Sequence, residues 1–278
     1  MQSKLEARVL RVGRRAMRAW PRGRTGRVAS VHQGSVNLLV DDGAVITLLT
    51  ANAPLRPWAM NVESDLGAWS THDSVMFGAE PADTTIRRVD PSRMQVVDLR
   101  MRRRPRAAPP GCRELLLPIA AWPTGPSAIQ QALGPVLHEV DVAAFGQQLA
   151  ELVGMGDGLT PAVDDFVVGT LASLDWMSAA KPHARRLQRM IVDALCDHNL
   201  EQRTTRLSAQ LLWSACEGEY AEPILDLLFA TTRRPQARVL VEAAGERVRT
   251  MGHSSGPWLL AGVNAGLTAA YRSDGSVL

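Results

Sequence analysis

The spacing of apolar residues changes character partway along the chain. From Gly26 to about Met94 it is strand-like: Arg27–His32 alternates, Ser35–Val40 runs into Asp41-Asp42-Gly43, and Ala44–Leu49 returns. A strand, an Asp-Gly turn and a second strand predict a hairpin, because Gly accepts the positive φ that such turns demand. Shorter strands are expected over Asp73–Phe77, Thr85–Val89 and Met94–Leu99, with Pro81 and Pro91 between them. Their sum is a small antiparallel sheet or partly open barrel.

Six prolines fall between Arg102 and Pro126, which reads as a linker or irregular crossover. Beyond it apolar residues recur three or four apart. Helices are expected over Val140–Val153, Pro161–Ala179, His183–Leu200, Thr205–Cys216, Glu222–Ala230, Gln236–Arg249 and Pro257–Tyr271. Gly169, Ala172, Ala261, Gly262, Ala265, Gly266, Ala269 and Ala270 are small residues at helical spacing, and they fit a tight intramolecular helical core better than a dimer face. The fold class is α+β, a β-rich amino-terminal part followed by a mainly helical carboxy-terminal part. Four segments result: a basic lead (1–25), a β-rich domain (26–106), a Pro-rich crossover (107–139) and a helical domain with Gly-rich loops (140–278).

Two glycine loops each open a helix. In Gly154-Met-Gly-Asp-Gly-Leu-Thr-Pro, glycines at 154, 156 and 158 mark a backbone that turns unusually or approaches something closely. Thr160 offers an N-cap oxygen and Pro161 suits the first helical position. Unpaired amides at the positive end of a helix dipole make an anion site. No Gly-Lys-Ser/Thr follows, and no strand precedes, so neither a Walker loop nor a dinucleotide fingerprint fits. Asp164 and Asp165 admit three readings: complementing the helix dipole, holding the glycine loop through its amides, or ligating a divalent cation such as Mg²⁺. The second loop, Gly252-His-Ser-Ser-Gly-Pro257, spells a nucleophile elbow around Ser254. That reading fails, because none of the six histidines follows Ser254. What survives is a second polar turn at a helix start, with His253 as a proton donor, a cationic anion contact or an ordinary surface residue. Thr204 or Thr205 caps a third helix.

Composition narrows the class. Hydrophobic residues make up 46% and charged residues 21% of 278, an ordinary globular balance. No apolar run reaches membrane-spanning length and no secretory signal is visible, so a cytoplasmic protein is expected. Cys112, Cys196 and Cys216, with no CxxC pair, read as buried thiols in a reducing compartment. Residues 1–106 hold 18 Lys or Arg against 10 Asp or Glu, whereas residues 107–278 hold 13 against 18. The Arg11–Arg27 and Arg100–Arg106 runs fit a solvated edge, an acidic protein partner or nucleic-acid phosphates. No zinc finger or aromatic RNA-binding strand accompanies them, which makes nucleic acid the less favoured partner.

GMGDGLTPAVDDFVVGTL, TTRLSAQLLWSACEGEY and GHSSGPWLLAGVNAGL, in that order, resemble the AllH-type subunit family of oxamate carbamoyltransferase, and GRVASVHQGSVNLLVDDGAVITLL is similar to the family's opening strands. The resemblance implies a bacterial cytoplasmic subunit working with other carbamoyltransferase subunits in allantoin and purine nitrogen catabolism. It implies transfer of a carbamoyl group between carbamoyl phosphate and oxamate, or between oxalurate and phosphate. Asp164, Asp165 and His253 are the candidate catalytic residues. Gly154, Gly156, Gly158, Thr160, Thr205, Ser254 and Ser255 are the candidate anion-binding residues, with Asp164 or Asp165 as the metal ligand if a metal takes part. Ala162-Val163 stands where the family usually shows Ser-Gly, and the Arg-rich lead before Gly26 looks peculiar to this member. A nucleic-acid-associated protein and a non-catalytic scaffold subunit are the competing readings.

Overall fold

The computed structural model describes residues 6–20, 25–78, 86–92, 94–115, 127–138, 142–233 and 237–272. The chain divides into two compact units, Met1–Leu99 and Arg100–Leu278.

The first unit holds strands β1 (Glu6–Gly13), β2 (Thr25–His32), β3 (Ser35–Val40), β4 (Val45–Thr50), β5 (Ala59–Glu63), β6 (Ser74–Phe77), β7 (Arg87–Asp90) and β8 (Gln95–Val97), with helix α1 (Arg14–Ala19) after β1. The expected hairpin is β3 and β4. Gly43 takes φ +87°, and Asp42 Oδ1 accepts the Ala44 amide at 2.9 Å. The order β5-β4-β3-β2-β6-β7-β1, with β1 pairing back to β5, closes a seven-stranded barrel; β8 extends the sheet from β1. Two expectations are thereby corrected. The sheet is closed, not partly open. It is also mixed, not antiparallel, since β1–β7, β1–β8, β4–β5 and β6–β7 run parallel.

The cause is β1, which lies in the stretch taken as a basic lead. Ala7, Val9 and Val12 are fully buried at strand spacing. Arg8, one of its intervening arginines, reaches Glu63 at 3.4 Å. Strand β5 also escaped the sequence reading. It is short, follows Pro54 and Pro57, and carries a buried Asn61 whose amide donates to the Thr50 and Ala53 carbonyls at 2.9 and 2.8 Å. Inside the ring, Val28, Val36, Leu38, Ile46, Leu48, Met60 and Phe77 form one apolar core. Each such side chain contributes about 1.5–3 kcal/mol on full burial.

The second unit is helical: α2 (Ser127–His138), α3 (Val142–Glu151), α4 (Ala162–Met177), α5 (Pro182–Cys196), α6 (Leu200–Arg203), α7 (Arg206–Cys216), α8 (Glu222–Ala230), α9 (Ala237–Arg249) and α10 (Ser255–Arg272). The seven expected helices are present. Helix α2 occupies the end of the Pro-rich stretch 107–139, after the segment Arg102–Pro126, and was not expected; Gly134 and Pro135 within it disguise it. Residues 116–126 of that stretch lie outside the described residues. Of the cysteines, Cys112 is buried but Cys196 is exposed, so the expectation of buried thiols fails there.

Helix α4 is the axis of this unit, buried at every position but Val168. Helix α10 lies on it in nearly direct backbone contact. A Cβ on Gly262 would sit 2.0 Å from the Phe166 carbonyl, and one on Gly169 would sit 2.1 Å from that of Leu259. Thr170 donates to the Gly262 carbonyl at 3.2 Å, and Gly266 meets Thr170 and Ser173. The small residues therefore pack the interior. Because later residues of α4 meet later residues of α10, the two helices run parallel, and both amino-terminal ends point the same way.

Candidate functional site

Parallel packing puts two positive helix ends side by side, which is unfavourable unless negative groups sit there. Two aspartates do. Asp164 and Asp165 lie in the first turn of α4 and are buried. The loop before them is shaped by glycine: φ is +90°, +121° and +94° at Gly154, Gly156 and Gly158, while the residues between keep negative φ. Alternation of this kind makes the backbone reverse at each glycine, a path that side chains with a Cβ rarely adopt. At Gly154 a Cβ would lie 1.9 Å from the Arg203 carbonyl, and at Gly156 2.6 Å from the Ala162 nitrogen. At Gly158 a Cβ would meet nothing within 4 Å, so φ alone selects glycine there.

Three helix starts converge on this loop. The Thr160 and Ser255 hydroxyls are 2.8 Å apart and join the start of α4 to that of α10. Thr205, the N-cap of α7, donates to the Leu159 carbonyl at 2.5 Å and accepts the Ser208 amide at 3.1 Å. Beneath them Asp164 accepts the Gly154 amide on Oδ1 at 2.7 Å. Its Oδ2 accepts the Ser208 hydroxyl at 2.6 Å and also the Thr204 hydroxyl. Burial pushes the Asp164 carboxyl above the usual carboxylate range, while the Ser208, Thr204 and Gly154 donors pull it down.

The capping expectation needs correction. Pro161, not Thr160, occupies the N-cap of α4, and no side chain caps that helix. The Pro161 carbonyl takes the Asp164 and Asp165 amides at 3.0 and 3.2 Å. The Thr160 hydroxyl is turned instead toward Ser255. Among the described residues, no carbonyl or side chain takes the amides of Gly156, Asp157, Gly158, Leu159 or Thr160. Asp157, Gly158 and Leu159 are exposed, as are His253 and Ser254. The structure therefore gathers Gly154, Gly156, Gly158, Thr160, Asp164, Thr205 and Ser255 into one cluster. His253 and Ser254 stand on its second loop, and Asp165 lies one position beyond Asp164, buried in α4.

Thr204 as a partner of Asp164, and Ser208 altogether, were missed. The available signal was their place in the polar run Thr204-Thr205-Arg206-Leu207-Ser208 that opens α7, although Thr204 itself is extended and precedes the helix. Among the described residues, no group of three His, Cys, Asp or Glu side chains gathers as a metal site.

A family model described as "oxamate carbamoyltransferase subunit AllH" matches residues 152–267, and one described as "AllH family N-terminal domain" matches residues 8–96. The chain belongs to the AllH family. The first match takes in the Gly154–Thr160 loop, α4, α7 and the Gly252–Gly256 turn. The second includes most of β1, so that strand is part of the AllH domain and not an addition peculiar to this chain. No solved structure matches the chain.

The arginine runs are partly committed elsewhere. Arg104 Nε lies 2.7 Å from the buried Asp175, and Arg100 Nε 3.3 Å from the buried Glu219. Arg14 lies 3.7 Å from Asp98. Residues 21–24 of the first run lie outside the described residues. No helix among the described residues is long and apolar enough to cross a membrane.

Proposed function

We propose that this chain gives a carbamoyltransferase complex its binding cradle for small anions, carbamoyl phosphate with oxamate in one direction and oxalurate with phosphate in the other. The reading places the complex in the cytoplasm, in allantoin and purine nitrogen catabolism. The observation that carries it is the Thr160–Ser255 contact, which holds two parallel helix ends beside a run of amides with no partner among the described residues. In carbamoyl transfer the oxamate nitrogen attacks the carbamoyl carbon and gives up a proton to solvent or to the departing phosphate, while the bond from that carbon to the phosphate oxygen breaks and phosphate leaves. Negative charge grows on the carbonyl oxygen and on the leaving phosphate. Preorganised amides and helix ends stabilise charge of that kind without a nucleophilic side chain.

Within this reading Gly154, Gly156 and Gly158 shape the loop, and Thr160, Ser254 and Ser255 offer hydroxyls. Of the two hydrogens on the Thr160–Ser255 pair, one is spent between them and the other is available to an anion. His253, exposed beside them, is placed to protonate or neutralise the leaving group. A divalent cation such as Mg²⁺, if the reaction uses one, enters on the phosphate oxygens. Thr205 acts as a cap, since its hydroxyl already donates and accepts within the protein.

The test is titration of the full chain, alone and with its partner subunits, with inorganic phosphate and carbamoyl phosphate. A bound anion at a hundred times its Kd stabilises the fold by about 2.7 kcal/mol, which reads as a raised Tm. Thr160→Val with Ser255→Ala should remove that shift. No shift in any arrangement, or full activity of the complex with both loops mutated, would instead favour a scaffold role.

A further inference from the structure

Asp164 carries the two expectations that bear most on chemistry, acid–base catalysis and metal ligation, yet its surroundings suit neither. It is 1% exposed. Its Oδ1 holds the Gly154 amide, and its Oδ2 holds two hydroxyls, from Thr204 and Ser208. Those three donors belong to three different segments: the start of the glycine loop, the residue before the Thr205 cap, and the first turn of α7. Gly154 itself is wedged against the Arg203 carbonyl, one residue before Thr204. A carboxylate receiving three protein donors in a buried site has little left to offer a substrate proton or a cation.

The geometry points to Asp164 as a positioning residue, which locks the glycine loop to the start of α7 by hydrogen bonding and touches neither substrate nor metal. The effect on the anion rests on the function proposed above; the lock itself does not. A residue acting through hydrogen bonds alone has a distinctive chemical signature. An asparagine can keep its carbonyl oxygen toward the Gly154 amide and turn its NH₂ toward Thr204 and Ser208, whose hydroxyls can accept as well as donate. Alanine leaves all three donors without their acceptor. A catalytic or metal-binding carboxylate shows the opposite pattern, because asparagine supplies neither a proton acceptor nor the charge, and general-base loss alone costs about 10²–10⁴ in turnover.

The experiment compares the full-length wild type with Asp164→Asn, Asp164→Ala and the pair Thr204→Val with Ser208→Ala. Hydrogen exchange over residues 152–161 is followed without ligand, and phosphate affinity and turnover are followed with the partner subunits. Asp164→Asn should stay within about threefold of wild type in all readouts. Asp164→Ala should speed exchange and weaken phosphate binding by about tenfold or more, since stranding even one of the three donors costs about that much. The hydroxyl pair should fall between them, and it keeps the test open if Asp164→Ala fails to fold. Turnover in Asp164→Asn as low as in Asp164→Ala, with loop exchange unchanged in both, would overturn the assignment. A wild type that binds no phosphate but shows the graded exchange would sink the anion reading and leave the lock standing.

Discussion

The hydroxyl of Thr160 lies 2.8 Å from that of Ser255, across 95 residues of sequence, and it ties together two loops that each begin a parallel helix. The contact is partly buried, so its loss has a measurable cost. Thr160→Val and Ser255→Ala should each destabilise the helical unit by about 1 kcal/mol. Their double variant should lose less than the sum by about 0.5 kcal/mol or more, as coupled neighbours do. Urea unfolding of the four proteins provides the cycle, and strict additivity would mean the hydroxyls do not interact in solution.

The three loop glycines should not be equally replaceable. Gly154→Ala forces a Cβ into the Arg203 carbonyl, whereas Gly158→Ala meets open space and suffers only its φ of +94°. The first should lose about 3 kcal/mol or more, and the second about 1–2 kcal/mol. Thermal unfolding of the two variants checks the order.

Asp164 should leave a signature in the pH dependence of stability. Its carboxyl is raised above the ordinary value, chiefly by burial. Between the unfolded and folded pKa values the folded chain holds more protons, so stability falls as pH rises through that window and levels off above it. Asp164→Asn lacks this contribution. The stability of wild type minus that of Asp164→Asn should therefore decline from acid pH upward and then flatten. Chemical unfolding at a series of pH values shows it, and a difference that grows with pH would reverse the assignment.

Arg104→Met removes the cation 2.7 Å from Asp175, whose side chain is 2% exposed against 36% for the arginine. A nearly buried carboxylate left without its ion partner should cost about 2 kcal/mol, at the low end because the arginine is partly solvated. Arg238→Met, which breaks an exposed pair four residues along α9, should cost only about 0.3–0.5 kcal/mol. Equal losses would show that burial of Asp175 does not govern its pair.

Much of the helical unit was legible because its periods are long and its caps are chemical. Thr205 caps α7 as its position suggested, and the glycine-rich helix faces packed as an intramolecular core. The barrel was harder to read. Strand β1 hides its alternation under arginines, and β5 is a five-residue strand in which a buried polar residue, Asn61, interrupts the apolar pattern of Ala59, Met60 and Val62. Closure by β1–β5 pairing joins residues 48 to 55 positions apart, and local spacing carries no trace of that. At the loop, the sequence located the aspartates but could not say which way their oxygens turn. Thr160 was assigned to its own helix because the cap is the nearest use for a hydroxyl, while its partner lies across the fold.

Strand β1 has neighbours that arrive late in synthesis. Glu6 pairs with Arg88, Arg8 with Glu63 and Gly13 with Val97. As the chain is made, one edge of β1 stays bare until β5 follows, 48 to 55 positions on, and the other until β7 and β8 do, 82 to 84 positions on. Pairings of such long range fold slowly and leave the nascent strand open to association with other chains. Arg8 and Arg11 along β1 set like charges against one another in any pairing of two such strands, which opposes that association.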